Sequence, residues 1–143
     1  QAGMIAIDTS VLIDLLGDDA RASAAEEALR SALAQGPVVA CEVVLGEVVA
    51  GLGHGSIVMD ALDEAGIGYS ALEARAAVRA GEMQRRYKER LRSGSRPATG
   101  PRSVPDFLIG AHALLQCSAL ITRDAGFFRD YFKGLKVIVP KGS

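Results

Sequence analysis

The sequence predicts an α/β domain, with a mostly parallel five-stranded sheet flanked by helices, and three observations carry that expectation. Short apolar, β-branched runs alternate with longer segments of helical periodicity. Gly, Pro and Asp punctuate the boundaries between them. With 143 residues, 49% of them hydrophobic, the chain has enough apolar side chains for one core and too little length for two.

Met4 to Ile7 is short and apolar, ends at Asp8, and reads as a buried strand leading into a helix that opens at Thr9. Asp18 or Asp19 is placed to cap a second helix running to about Gln35, where Gly36-Pro37 stops it. Val38 to Ala40 is the next buried strand, followed by a helix from about Glu42 to Ala50. After the glycine-rich turn Gly51 to Gly55, a helix extends to Ala65 and a brief extended piece covers Ile67 to Tyr69. From Ala71 onward, Leu72, Ala76, Ala80, Met83, Tyr87 and Leu91 recur every three or four residues, the pattern of one long amphipathic helix. Ser93 to Ser103 holds two prolines, two glycines and three serines, which fit an exposed loop and not a helix. Pro105 suits a helix's first turn, and Phe107 to Leu115 is apolar on all sides apart from His112, as for an interior helix. A strand at Ala119 to Thr122, a helical segment at Phe127 to Phe132 and a last strand at Lys136 to Val139 complete the chain. The domain is expected over 4–143, with Gln1 to Gly3 a non-native remnant ahead of a start at Met4.

Composition excludes several classes. No apolar stretch approaches the ~18 residues of a membrane span, and no signal-peptide pattern opens the chain, so a cytoplasmic protein with no membrane association is expected. Cys41 and Cys117 lie in apolar surroundings without metal-ligand spacing and read as buried free thiols. The net charge of −1 argues against binding nucleic acid through overall basicity. Locally the balance differs: Arg85, Arg86, Lys88, Arg90, Arg92, Arg96 and Arg102 face the single acid Glu89 between them. Among these, Arg85, Arg86, Arg96 and Arg102 are candidates for contact with a phosphate backbone.

In an open parallel sheet, ligands bind beyond the carboxyl ends of the strands, where strand order reverses. Asp8 directly ends the first strand, and Asp124 follows the fourth by way of Thr122-Arg123. Glu47 interrupts Val43 to Ala50, a helix otherwise without a polar side chain, and Asp106 opens an almost wholly apolar helix. Burying such carboxylates unpaired is costly. Two of them about 4 Å apart repel by roughly 4 kcal/mol at an effective dielectric near 20, and a divalent cation removes that cost. All-oxygen ligands point to Mg²⁺ or Mn²⁺ and away from zinc. His54 in the glycine turn, His112 on another helical face, Glu42 at a helix start, and Asp14, Asp18 and Asp19 are read instead as structural, capping or solvated residues.

Four segments carry a resemblance. Ile7-Asp8-Thr9-Ser10-Val11-Leu12-Ile13, Val44-Leu45-Gly46-Glu47-Val48-Val49-Ala50-Gly51, Val104-Pro105-Asp106-Phe107-Leu108-Ile109-Gly110-Ala111-His112-Ala113 and Leu120-Ile121-Thr122-Arg123-Asp124-Ala125-Gly126-Phe127 resemble, in order and spacing, the PIN-domain family and in particular its VapC-type toxins. The resemblance implies a single PIN-like domain in which Asp8, Glu47, Asp106 and Asp124 are the catalytic and metal-binding acids. Thr9 and Thr122 would be the hydroxyls that orient them. It implies Mg²⁺- or Mn²⁺-dependent endoribonuclease activity on RNA, a cognate VapB-type antitoxin and a homodimer. The alternatives are a catalytically silent RNA-binding or regulatory module of the same fold, and a housekeeping nuclease. An aspartyl-phosphate phosphatase also uses an Asp after strand one, but the second acid expected two residues on is Ser10 here.

Overall fold

The computed structural model describes residues 3–17, 20–94 and 101–142. Asp18, Asp19 and Arg96 therefore lie outside the described residues. The elements follow the predicted alternation: β1 (Ile5–Ile7), α1 (Thr9–Leu16), α2 (Ala22–Leu33), β2 (Val38–Ala40), α3 (Glu42–Leu52), α4 (Gly55–Glu64), β3 (Ile67–Tyr69), α5 (Ala74–Arg92), α6 (Val104–Gln116), β4 (Ala119–Ile121), α7 (Ala125–Tyr131) and β5 (Val137–Ile138).

The five strands form one sheet in the order β3-β2-β1-β4-β5, and every neighbouring pair is parallel. Parallel strands need crossovers, and the intervening helices supply them. All residues of β1, β2 and β4 are buried, as expected for central strands with near-continuous apolar sequence. The chain builds outward from β1 to β2 and β3, then returns to the opposite side of β1 to lay down β4 and β5. The switch point falls between β1 and β4, which pair Ile7 with Ile121. The residues that follow these two strands are Asp8 and Thr122.

Several boundaries differ from the sequence reading: α3 runs on to Leu52 and α7 starts at Ala125. The long helix starts at Ala74 and not Ala71, because the preceding backbone is claimed by side chains of other elements. Glu42 accepts the Leu72 N–H at 2.8 Å, Gln116 accepts the Glu73 N–H at 2.9 Å, and the Gln116 amide donates to the Ala71 carbonyl at 2.9 Å. Leu91, assigned to the apolar face, is exposed near the end of that helix, whereas Ala76, Ala80 and Tyr87 are buried. The first residue preceding α2 is Arg21, which makes no side-chain capping bond.

α5 packs along α6, and α1 against α2 and α3. Tyr87 from α5, Phe107 from α6 and Phe127, Phe128 and Tyr131 from α7, with the adjoining Phe132, form a buried aromatic cluster. Phe107 sits at its centre, with ring centroids 5.2 Å from Phe127 and 5.6 Å from both Tyr87 and Tyr131. Close packing here depends on Gly110: a Cβ at that position would fall 2.3 Å from Phe132 Cε2. The Phe132 ring is itself 1% exposed and has little room to yield. Gly110→Ala is accordingly expected to destabilise the domain by about 1–3 kcal/mol, measured as a lowered urea midpoint with an unchanged m-value. A midpoint equal to the parent's would show that the ring can move aside.

Candidate active site

β1 delivers Asp8 to the switch point, and its extended backbone there (φ −79°, ψ 153°) makes it the residue before α1. Its Oδ1 accepts the Thr9 N–H at 2.8 Å, and its Oδ2 accepts the Thr122 hydroxyl at 2.6 Å. Thr122 Oγ1 in turn accepts the Asp124 N–H at 3.0 Å. On the other side, the Thr9 hydroxyl donates to Glu47 Oε1 at 2.7 Å. One chain of hydrogen bonds therefore links Asp124, Thr122, Asp8, Thr9 and Glu47, and the two threonines each hold a carboxylate oxygen in place. Asp106, in the first turn of α6, accepts the Ser103 N–H at 3.2 Å, the capping geometry expected of an acid there.

All four acids line one cleft of about 450 Å³, together with Thr9, Ser10, Ile13, Arg102, Arg123 and Phe128. Asp8 is the most enclosed. Burial pushes its carboxyl up to about 6, against the pull of the Thr122 and Thr9 hydrogen bonds, and the negative charges of Asp106 and Glu47 add to the rise. Among the described residues, no three acidic, histidine or cysteine side chains already stand close enough to share one metal ion. The donor chemistry of the lining nevertheless fits an oxygen-seeking cation: four carboxylates and two hydroxyls, with no thiol or imidazole.

Two arginines enter the cleft. The Arg102 guanidinium forms an ion pair with Asp124 and lies 4.3 Å over the Phe127 ring, leaving its side chain only 12% exposed. Arg123 pairs through Nε with Asp14 Oδ2 at 2.7 Å. Asp14 was expected to be solvated or capping; it is buried, and the pairing with Arg123 is the physical reason. A signal for it existed, because Asp14 interrupts the apolar helix Val11 to Leu16 just as Glu47 interrupts α3. For Arg102 the signal was only its place in a basic segment.

The remaining candidates lie away from the cleft lining. Arg85 is exposed on α5 and pairs with Glu89 at 3.5 Å, and Arg86 is exposed on the same helix. His54 precedes α4 in a left-handed conformation (φ 52°). His112 is buried in α6, its Nε2 3.0 Å from Ser70 Oγ, and burial lowers its pKa. Cys41 is a buried free thiol. Cys117 is also free but only half-buried, although burial still pushes its thiol up to about 11.

Fold and cleft together define an α/β domain that gathers acidic side chains at the switch point of a parallel sheet. The chain belongs to the PIN-domain family, whose profile matches residues 5–133. Its fold is similar to that of Rickettsia felis VapBC2 bound to a fragment of promoter DNA, with a TM-score of 0.67 at 16% identity over 95% of this chain and 98% of that one. It is also similar to a Klebsiella pneumoniae toxin-antitoxin complex, with a TM-score of 0.64 at 24% identity over 95% and 97%. A third similar structure is Mycobacterium tuberculosis VapC20, a sarcin-ricin loop cleaving toxin, with a TM-score of 0.62 at 20% identity over 90% and 95%. No curated protein matches the chain.

The raised Asp8 carboxyl has a consequence for stability. Between its ordinary value of 3.8 and about 6, the folded state retains a proton that the unfolded chain has lost, so Asp8 favours folding below about pH 4 and this contribution is lost as pH rises through 6. In EDTA, the stability of Asp8→Asn relative to the parent should therefore rise by about 2–3 kcal/mol from pH 4 to pH 7, whatever the constant offset from altered hydrogen bonds. Urea titrations across that range test this, and a flat difference would place Asp8 in a solvated environment.

Proposed function

We propose that this protein is a Mg²⁺- or Mn²⁺-dependent endoribonuclease of the VapC type, the toxin of a type II toxin-antitoxin pair. The observation that carries the reading is the convergence of Asp8, Glu47, Asp106 and Asp124 on one cleft at the switch point, from four separate elements. The likeness in fold to VapC20, a toxin that cleaves the sarcin-ricin loop, supports RNA as the substrate class. The likeness to toxin-antitoxin complexes supports a VapB-type antitoxin as partner. A homodimer as the assembled toxin is part of the same proposal.

Asp8 and Asp106 are the principal ligands in this reading, with Asp124 completing a second position or acting at the periphery. When bound, the divalent ion lowers the pKa of water and offsets the charge that develops on the scissile phosphate. Glu47, with Oε1 held by Thr9, takes a proton from the attacking water as the water oxygen bonds to phosphorus and the bond to the leaving sugar oxygen breaks, that oxygen taking a proton from solvent. Thr122 and Thr9 keep Asp8 turned toward the cleft, so little reorganisation is needed when the substrate arrives. Above about pH 6 Asp8 is mainly ionised and ready to serve as a ligand.

The Arg85 and Arg86 side chains on α5 are exposed to a phosphate backbone, Arg85 as the ion-pair partner of Glu89, whereas Arg102 is drawn into the cleft. The reading predicts that Asp8→Asn or Asp106→Asn lowers cleavage of a structured RNA by at least about 10²-fold while leaving the circular dichroism spectrum unchanged, and that EDTA abolishes cleavage by the parent. Full activity in both variants, or cleavage that persists in EDTA, would exclude it.

A further inference from the structure

The cleft lining carries four carboxylates and two guanidinium groups. Arg123 is already committed to a fifth acid, the buried Asp14, so among the described residues Arg102 is the lining cation left to face the other four. Three separate contacts bring it there. The Tyr87 hydroxyl accepts the Arg102 N–H at 2.9 Å, the Phe127 ring supports the guanidinium 4.3 Å away, and Asp124 pairs with it. With the side chain only 12% exposed, this is not a screened surface pair of the kind worth little. The Arg102 Nε is nonetheless buried without a hydrogen-bond partner, so the position is held by charge attraction and stacking and not by a fully satisfied set of bonds.

We infer that Arg102 is the resident cation of the acidic cleft, holding the oxygen of Asp124 that a divalent ion would otherwise engage, so that ion binding and the Arg102–Asp124 pair oppose one another. This rests on the reading of the cleft as a metal site. Two cations cannot share one carboxylate oxygen at bonding distance without strong mutual repulsion. Each therefore weakens the other by the same factor, as linkage requires. Because Tyr87 holds the Arg102 backbone, the exchange is a swing of the side chain away from Phe127 and not a movement of the backbone. The pair also serves the ion-free protein, since a guanidinium among four carboxylates offsets repulsion that would otherwise destabilise the switch point. Asp124 is thus not equivalent to Asp8, whose oxygens are held by neutral donors and stay available to an ion.

Calorimetric titration with Mn²⁺ alone, without RNA, tests the inference on four proteins: the parent, Arg102→Gln, Arg102→Lys and, as a control on an exposed ion pair, Arg85→Gln. Arg102→Gln should bind Mn²⁺ about five- to tenfold more tightly than the parent, Arg102→Lys about two- to threefold more tightly, and Arg85→Gln equally. Adding Asp124→Asn to Arg102→Gln should remove the gain, since the contested oxygen is then neutral. The ion should also raise the melting temperature of Arg102→Gln more than that of the parent. Parent-like or weaker Mn²⁺ binding by Arg102→Gln overturns the competition while leaving the nuclease reading intact. If the glutamine variant does not fold, parent-like binding by Arg102→Lys overturns it instead. Absence of Mn²⁺ binding in all of these proteins, Arg102→Gln included, overturns both.

Discussion

The parallel pairing of β1 with β4 is the constraint on which the site depends. It sets Ile7 beside Ile121, continues with the Asp8 N–H donating to the Ile121 carbonyl at 2.9 Å, and so brings Asp8 level with Thr122. The 2.6 Å hydrogen bond between their side chains follows directly from that register. A slip of one residue would turn every side chain of the strand to the opposite face and replace Asp8 at the cleft by an apolar neighbour. The other acids are placed relative to this pair: Glu47 through Thr9, Asp124 through the Thr122 hydroxyl, and Asp106 by the first turn of the helix that feeds β4.

That arrangement concentrates negative charge, and the structure shows how a domain tolerates it without an ion. Each cleft acid has a compensating donor: hydroxyls for Asp8 and Glu47, a backbone amide for Asp106 and a guanidinium for Asp124. Asp8 is the least compensated, because its two neutral donors do not outweigh burial, and its carboxyl is pushed up to about 6. A group whose charge is disfavoured by its surroundings gains most when a cation arrives. The cleft acids are thus each offset from within the chain, and Asp8 is the one with most to gain from added positive charge.

Much of this was legible in the sequence, for physical reasons that differ among the residues. Glu47 stood out because a lone acid in an apolar helix demands an explanation, and Asp8 and Asp106 because they occupy the ends of elements where carbonyl and amide geometry favours function or capping. The sheet followed from strand runs too apolar to face water on either side. Tertiary partners were not legible. Nothing near Ala71 in the sequence shows that Glu42 and Gln116 take its neighbours' backbone groups and delay α5, and nothing near Asp14 shows Arg123. The same rule that singled out Glu47 applied to Asp14, and it pointed to burial without saying whether the partner was a metal or an arginine. Arg102 looked like one more charge in a basic run, since its approach to Asp124 depends on tertiary contacts with Tyr87 and Phe127 that lie far from it in sequence.

That last contact joins the core to the chemistry. Phe127 packs against Phe107 at 5.2 Å and also lies under Arg102, and Tyr87 contributes its ring to the same cluster and its hydroxyl to the Arg102 backbone. The position of the guanidinium is thus set by close-packed rings whose own places are fixed by Gly110 and Phe132. Rings at that density do not shift gradually, so the Arg102 backbone, bonded to the Tyr87 hydroxyl, has a fixed anchor from which its long side chain extends. An anchored backbone with one long charged side chain suits the exchange of cations proposed above, because little else has to reorganise. The aromatic cluster accordingly has two tasks, filling the space between α5, α6 and α7 and aiming the charge that balances the acids at the switch point.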